Sequence, residues 1–254
     1  MRDKIIYKKI AVKNIDNNLK NEMFKLFEQY YDDVTFNGFS KDLAEKTHCF
    51  ILRNSKQKLI GFSTIFRRKE FLPDSGQYTA LFSGDTVIHK DYWGTKALQK
   101  AFFFYILQSK IFSFNKPVYW FLQSKGHKTY LMMRKNFIAS FPNYKTPTPV
   151  KAQVVLNSFY RQKYGDNFKS KSGLIQFENS LGAAKIDMCK PSKEASLDKD
   201  TQFFLERNPD YAKGDELACI CEIRFRDFLG HIPKYFLKGL LPKKERRAQA
   251  PLKS

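Results

Sequence analysis

The sequence has few of the features that indicate a metal centre, a membrane anchor or a disulfide-stabilised secreted chain. Its four cysteines, Cys49, Cys189, Cys219 and Cys221, have no metal-ligand spacing, and the last two would share one face of a strand. No apolar run reaches the roughly 18 to 20 residues of a transmembrane helix. Residues 1–9 contain no continuous apolar run of the kind that forms a signal peptide. We therefore expect a soluble, cytoplasmic protein without a metal site or a transmembrane segment.

Acidic residues are also scarce, since 25 Asp and Glu stand against 45 Lys and Arg and give a net charge of +20 over 254 residues. Such a balance favours an anionic partner: a phosphate-bearing cofactor, an acidic carrier protein, nucleic acid or an anionic membrane. It is equally typical of a lysine-rich solvated surface. Aromatic residues, in contrast, are abundant, with 25 Phe and 13 Tyr. This content is ample for a folded core.

Hydrophobic periodicity predicts alternating strands and helices over the first 141 residues. The predicted elements are strand 4–13, helix 19–31, helix 40–46 with Ser40 as its N-cap, strands 48–53 and 58–66, a loop at 67–77, strand 81–89, a helix from Ala97, strand 118–122 and a helix between His127 and Pro142. Further on, the pattern predicts a helix between Pro147 and Gly165, strands at 173–177 and 216–223, a mobile stretch at 189–200 and an amphipathic helix at 225–240 broken at Pro233.

The stretch 81–104 contains the clearest functional signal. A predicted strand meets a predicted helix through a tight turn that contains Gly94. The first backbone N–H groups of a helix have no intrahelical partner, and the helix dipole there favours negative charge. The stretch therefore predicts an anion site, although an ordinary strand-to-helix corner would have the same pattern.

The element order and this turn resemble the GNAT superfamily of acyl-CoA N-acyltransferases over residues 4–141. The family's turn reads Gln or Arg, two residues, Gly, one residue, then Gly or Ala. Gly94 matches the first Gly, while Asp91 and Lys96 stand at the other two positions. The resemblance implies an α/β (α+β) fold with a GNAT-like mixed, mostly antiparallel sheet. That sheet would be splayed at its central strand and have helices on both faces, plus a C-terminal extension.

The domain organisation that follows has three parts. Residues 1–145 are expected to form the GNAT-like core. Residues 146–241 are expected to be a C-terminal extension that completes the sheet and the acceptor side. Residues 242–254 are expected to be a basic flexible tail, because 234–254 contains seven Lys and Arg and one Glu.

The resemblance also implies how the donor is held, with pantetheine along strand 81–89 and phosphate at the turn and helix start, 91–98. The residues implied in donor binding are Val87, Ile88, Trp93, Gly94, Thr95, Lys96, Ala97 and Leu98. The implied donor is acyl-CoA or the phosphopantetheine of an acyl carrier protein, whose acidic surface suits a basic chain. The acceptor would be a small-molecule amine.

Asp85 and Tyr130 are the candidate catalytic residues. Asp85 is an acid inside a strand, which fits a general base or a carboxylate hydrogen-bonded to a neighbouring loop. The family commonly has a Tyr that protonates the departing thiolate five residues before a Gly-Phe pair. Asn136-Phe137 resembles that pair and places Met132 at the acid position. Tyr130 could take the role of the acid only if the helix is rotated or shifted. Otherwise Tyr130 is an aromatic residue of the core or of the groove.

Two histidines, His89 and His127, bracket the same end of the predicted sheet. Their pKa range suits proton transfer, and it is equally consistent with surface residues.

Functions from different classes compete for this chain. The first is an acyltransferase that moves an acyl group from a thioester to an amine. The second is a non-catalytic protein of the same fold that binds nucleic acid or an anionic membrane through its basic surface and tail. The third is an interaction protein with an inactive site, which is consistent with the departures from the family pattern at Lys96 and Met132.

Overall fold

The computed structural model describes residues 4–72, 76–177, 191 and 195–229, and in this part of the chain nine strands form one sheet that carries seven helices. The strands are β1 (Ile6–Ala11), β2 (His48–Arg53), β3 (Leu59–Leu72), β4 (Gly76–Ile88), β5 (Val118–Ser124), β6 (Ser140–Phe141), β7 (Phe168–Lys169), β8 (Leu174–Ile175) and β9 (Glu216–Glu222). The helices are α1 (Asn17–Phe27), α2 (Phe36–Ala44), α3 (Ala97–Phe112), α4 (His127–Asn136), α5 (Val150–Tyr164), α6 (Lys199–Arg207) and α7 (Arg226–Leu229).

The strand order is β1-β2-β3-β4-β5-β9-β8-β7, and β6 pairs with β9. The first four strands are consecutive antiparallel neighbours, whereas β4 and β5 are parallel. A parallel neighbour needs a crossover connection, which α3 supplies here. This sheet is the mixed, mostly antiparallel sheet predicted from the sequence, and that prediction is confirmed.

The two faces of the sheet carry different helices because neighbouring residues of a strand point to opposite sides. Leu81 of β4 packs in the cluster that contains α3 and α4. Its neighbour Phe82 packs in the cluster that contains α5. A third cluster joins α1 and α2 to β2, β3 and the end of β4. In β5, Phe121 stacks on Phe159 of α5 at 3.7 Å between ring centroids.

The C-terminal half contributes strands to the same sheet. β9 lies between β5 and β8, with a continuous antiparallel register from Tyr119↔Glu222 to Ser124↔Leu217. The end of the predicted extension and the predicted tail, residues 230–254, lie outside the described residues, as does Cys189.

Three local predictions are corrected. Residues 67–72 and 76–77 are strand rather than loop, because β3 continues to Leu72 and pairs with β4 from Gly76 onward, while residues 73–75 lie outside the described residues. The pairing of β3 with β2 ends at Ile65, so the charged side chains beyond it lie on a free edge of β3, where Arg68 pairs with Glu70. Helix α2 begins four residues before Ser40, since Thr35 Oγ1 accepts a hydrogen bond from Gly38 N at 3.1 Å.

The third correction concerns residues 195–200, the end of the stretch 189–200 for which mobility was predicted; of the rest of that stretch, residues 189, 190 and 192–194 lie outside the described residues. α6 begins at Lys199, and the Asp198 carboxylate caps it by accepting a hydrogen bond from Thr201 N at 3.1 Å. Of the described helices, none is both long enough and apolar enough to span a bilayer.

Candidate active site

The central feature of the molecule is a gap between two neighbouring strands. β4 and β5 pair from Thr79↔Val118 to Phe82↔Phe121. Beyond Phe82, β4 continues against β3, while β5 continues against β9. The two strands therefore separate toward the C-terminal end of β4, in agreement with the splayed sheet that the sequence resemblance implied.

A β-bulge lies where the strands separate. The register between β3 and β4 passes from Ile65↔Ser83 to Ser63↔Thr86, so Thr64 faces both Gly84 and Asp85. A bulge bends its strand and increases its twist. The strand needs glycine at position 84, because a Cβ there would lie 2.3 Å from Thr64 Oγ1 and 2.5 Å from Lys46 Cε.

The bulge also changes which backbone groups of β4 point toward the gap. Before it, Thr79 N donates to Pro117 O at 2.9 Å, on the β5 side. After it, His89 N donates to Ile60 O at 2.8 Å, on the β3 side. Backbone groups alternate between the two sides of a strand, so Thr86 and Ile88 direct theirs toward the gap. Trp93 Nε1 donates to Ile88 O at 2.8 Å.

The gap opens into a cavity of about 560 Å³. One wall is the edge of β4 from Ser83 to Ile88, and the opposite wall is the end of β5 with the start of α4. The apolar part of its lining consists mainly of Leu98, Phe102, Leu122 and Met132. A cavity of this size, with polar groups set into a mainly apolar lining, is typical of a small-molecule or cofactor site.

One end of the cavity is formed by the turn before α3. Gly94 has φ of +79°, a conformation that favours glycine. Lys96 is the N-cap residue and provides no side-chain cap, and the first turn contains no acidic residue. Lys100 N makes the first intrahelical bond, to Lys96 O at 2.9 Å. Ala97 N donates to Thr95 Oγ1 at 3.3 Å, so the amides of Leu98 and Gln99 are the ones suited to an anion.

Of the residues implied in donor binding, six line the cavity: Val87, Ile88, Trp93, Gly94, Thr95 and Leu98. Lys96 and Ala97 are not among the lining residues; Lys96 is exposed beside the helix start, and Ala97 packs against the core. The structure thus brings most of this set to one surface. Contact with a donor stays a prediction.

Asp85 lies in the bulge and faces the same cavity, half-buried. Burial, together with the Asp42 carboxylate, raises the pKa of Asp85 from 3.8 to about 7. The ammonium groups of Lys46 and Lys125 oppose this rise. Lys46 is itself engaged by Asp42 Oδ1 at 2.6 Å, so its charge is partly neutralised. A carboxyl group with a pKa near 7 can both accept and release a proton at neutral pH.

A polar wall adjoins Asp85. Lys125 lines the cavity, lies 3.2 Å from the buried carboxylate of Glu216 and sits 5.7 Å from the ring centroid of Tyr31. Burial raises the pKa of Glu216, and Lys125 opposes that shift. Beside them the hydroxyl of Tyr164 donates to Gln123 Oε1. Charged and apolar walls therefore face each other across one space.

Tyr130 is not brought to the cavity. Its ring is 1% exposed and packs on Phe203 and Phe204 of α6. Its hydroxyl donates to Pro142 O at 2.9 Å, and burial raises its pKa. The helix has the register that places Met132, rather than Tyr130, in the cavity lining.

The cavity also contains residues for which the sequence predicted no role: Tyr30, Tyr31, Gln123, Lys125, Lys128 and Thr129. Tyr30, which follows the end of α1, anchors the turn because its hydroxyl accepts a hydrogen bond from Lys90 N at 2.8 Å. Of the two histidines, His127 lines the cavity. His89 instead accepts a 3.4 Å hydrogen bond from Asp91 N and does not line the cavity. In the sequence, Tyr30 belongs to the apolar stripe of the predicted helix 19–31, and this stripe alone does not reveal the contact.

Neither a protein-family model nor a curated protein sequence matches this chain. Among solved structures it is similar to a conserved protein of unknown function from Enterococcus faecalis V583, described as a probable N-acyltransferase. The identity is 12%, the match covers 53% of this chain and 32% of that one, and the TM-score is 0.41. This chain thus spans about a third of that protein's length.

Two further structures are similar to the chain. One is a chain of the NatC complex bound to Gag peptide and CoA, with 11% identity over 87% of this chain and 99% of that one and a TM-score of 0.39. The other is Escherichia coli ElaA, with 14% identity over 57% and 95% and a TM-score of 0.38. Because these sequence identities and TM-scores are low, the fold assignment rests on the strand order and on the separation of β4 from β5.

Proposed function

We propose that this chain is an N-acyltransferase that moves an acyl group from a thioester donor to an amine. The observation that carries the proposal is the open β4–β5 gap. It combines the edge of β4 beyond its pairing with β5, a helix N-terminus and a carboxyl group with a pKa near 7 around one cavity. These three features match the three parts of the reaction: an extended pantetheine arm, its phosphate end and an ammonium that must lose a proton.

The donor would lie along β4. Pantetheine is an extended chain with amide groups, and such a chain can add to a sheet edge through main-chain hydrogen bonds. The backbone groups of Thr86 and the N–H of Ile88 are directed toward the gap for that pairing, whereas Ile88 O accepts the hydrogen bond from Trp93 Nε1. The phosphates would lie at the start of α3, where Leu98 N and Gln99 N precede the first intrahelical bond. Lys96 stands beside them and supplies a positive charge.

The acceptor would approach from the side of Asp85. The Asp85 carboxylate takes one proton from the substrate ammonium, directly or through a water molecule. The free amine then attacks the thioester carbonyl carbon, and a C–N bond forms. When the tetrahedral intermediate collapses, the C–S bond breaks and its electron pair leaves on sulfur. The second amine proton passes to the thiolate through solvent, and the products are an amide and a free thiol.

No dedicated acid is needed for this departure. A simple thiol has a pKa of about 8.5, so the thiolate can leave as an anion near neutral pH. The engagement of Tyr130 with Pro142 and the apolar Met132 in the cavity are therefore compatible with turnover.

Acyl-CoA and acyl carrier protein share the phosphopantetheine arm, so both are candidate donors. They differ at the phosphate end, because only CoA adds a nucleotide. Titration calorimetry with CoA, 4′-phosphopantetheine and holo-acyl carrier protein separates them. Acyl transfer to a panel of small amines is then followed by mass spectrometry of the product.

The expected result is binding of at least one donor and a new amide that depends on it. The absence of binding to all three donors at low ionic strength would contradict the proposal. Binding to nucleic acid or acidic vesicles in the absence of donor binding would favour the non-catalytic alternative.

A further inference from the structure

A second, smaller cavity of about 100 Å³ adjoins the first. The two cavities share Gln99, Phe102 and Met132 in their linings. The other residues around the second cavity are Phe103, Ile106, Trp120, Asn136, Phe137 and Asp227. It therefore lies beneath α3 and α4 as a continuation of the β4–β5 gap.

The second cavity lies farther from the start of α3 than the first. Trp120 of β5 is opposite Leu81, where β4 and β5 are still paired. Phe103 and Ile106 follow Phe102 along α3, away from the helix start where the phosphates would lie. A group that enters the second cavity from the first thus moves away from the anion end and toward the buried residues Ile106 and Trp120.

The lining of this second cavity is mainly apolar. Three of its polar side chains, those of Trp120, Asp227 and Asn136, form hydrogen bonds within the protein, while Gln99 is exposed. Trp120 Nε1 donates to Ser83 Oγ at 2.7 Å. The Asp227 carboxylate accepts hydrogen bonds from Arg224 N at 2.8 Å and Ile138 N at 3.2 Å. Asn136 Nδ2 donates to Met132 O at 2.6 Å. Apolar walls of this kind favour a hydrocarbon over ordered water.

We propose that this second cavity is an acyl-chain subsite and that the donor carries an aliphatic chain longer than acetyl. The inference rests on the proposed N-acyltransferase function and specifies its donor. The chain passes from the thioester between Phe102 of α3 and Met132 of α4. Met132 suits such an entrance, because an unbranched thioether side chain adapts its shape to what lies against it.

The volume of the second cavity predicts how the affinity for the donor depends on the length of its acyl chain. If a methylene occupies roughly the 30 Å³ of a water molecule, the second cavity takes about three carbons. Each methylene that leaves water contributes about 0.8 kcal/mol, which is about a fourfold gain in affinity. An acetyl group would end in the first cavity and gain none of this.

The first experiment uses the unmodified protein and measures the affinity of CoA thioesters from acetyl to dodecanoyl by calorimetry. We expect the affinity to increase by about fourfold per methylene over the chain lengths that fill the cavity, and then to level off. A series in which all chain lengths bind within twofold of acetyl-CoA would overturn the inference.

The second experiment changes the cavity volume. Ile106→Phe fills the space, so we expect the affinity for the longest chains to fall by more than tenfold while acetyl-CoA binding changes by less than twofold. Leu107→Phe is the matched control, because Leu107 is the next residue of α3 and lines neither cavity. Ile106→Ala enlarges the space and should move the plateau to longer chains.

These outcomes distinguish failure of the acyl subsite from failure of the N-acyltransferase function on which it rests. If acetyl-CoA binds but Ile106→Phe lowers the affinity for all chain lengths equally, the acyl subsite is refuted and the N-acyltransferase proposal stands. If no CoA thioester binds and neither 4′-phosphopantetheine nor holo-acyl carrier protein binds, the donor proposal itself fails. If Ile106→Phe does not fold, the acyl subsite is still tested by the chain-length series of the unmodified protein and by the chain length at which the affinity of Ile106→Ala levels off.

Discussion

Replacement of Asp85 by Asn tests the proposed proton transfer while keeping the shape of the side chain. Asp85 lies in the bulge and lines the cavity, and its pKa is about 7, so about half of the molecules hold it ionised at neutral pH. A positioned general base contributes typically 10²- to 10⁴-fold to the rate. We therefore expect Asp85→Asn to lower kcat/KM by a factor in that range at pH 8. Donor affinity should remain within about twofold, because donor binding in this account uses the backbone of β4 and the start of α3.

The pH dependence gives a second readout. The base is active when ionised, so the kcat/KM of the unmodified protein should rise with pH and level off above about 7. The residual activity of Asp85→Asn should lack this inflection. Asp166→Asn is a suitable control, since Asp166 is an exposed carboxylate after α5 and does not line the cavity.

The stability of the variant should change in the opposite direction to its activity. The folded pKa of about 7 lies above the ordinary value of 3.8, so the folded chain holds a proton that the unfolded chain has lost between these values. The free energy of unfolding should therefore fall as pH rises from about 4 to about 7. Asn does not ionise, so Asp85→Asn should be more stable than the unmodified protein at pH 8, by at most about 4 kcal/mol. Solvent in the cavity screens the charge and lowers this figure.

Urea denaturation at pH 5 and pH 8 measures that difference, and initial rates from pH 5 to pH 9 measure the kinetic effect. The reasoning is refuted if Asp85→Asn retains full kcat/KM with the same inflection near pH 7. It is also refuted if the variant loses activity only because it no longer binds the donor.

Three further predictions concern the surroundings of this site. Asp42→Asn removes the carboxylate that raises the pKa of Asp85, so the inflection of the pH–rate profile should move below pH 7; an unchanged inflection would contradict the electrostatic account. Gly84→Ala places a Cβ 2.3 Å from Thr64 Oγ1, and urea denaturation should record a loss of about 1 to 3 kcal/mol; a variant as stable as the original would show that the bulge has room. Lys96→Ala should weaken CoA binding by about two- to fivefold, as expected for an exposed ion pair, and leave pantetheine binding unchanged. An equal loss for both ligands would show that Lys96 does not act on the phosphates.

The order of strands and helices up to residue 141 was predictable because each element buries one face, and burial leaves a period in the sequence. The hairpin of β2 and β3 and the glycine turn before α3 follow from local turn chemistry, and both are present. The start of α2 at Phe36 and the extension of β3 to Leu72 were missed. Thr35 is as good a cap as Ser40, and exposed strand residues such as Arg68 and Glu70 have the composition of a loop.

The details of the site depend on long-range pairing, which periodicity does not record. The two-to-one register opposite Thr64 lies where β4 leaves β5, and Lys46 packs over Gly84 at the same place. The contact of Tyr30 with the turn joins positions 60 residues apart. Tyr130 and Met132 differ by two positions on one helix, so only the helix rotation decides which of them faces the cavity.

Residue-resolved amide hydrogen exchange, with and without saturating CoA, tests the central claim most directly. The account predicts slower exchange at Thr86 and Ile88, whose backbone groups point into the gap, and at Leu98 and Gln99 at the start of α3. Protection that appears elsewhere, with these four amides unchanged in the bound protein, would contradict a donor site between β4 and β5.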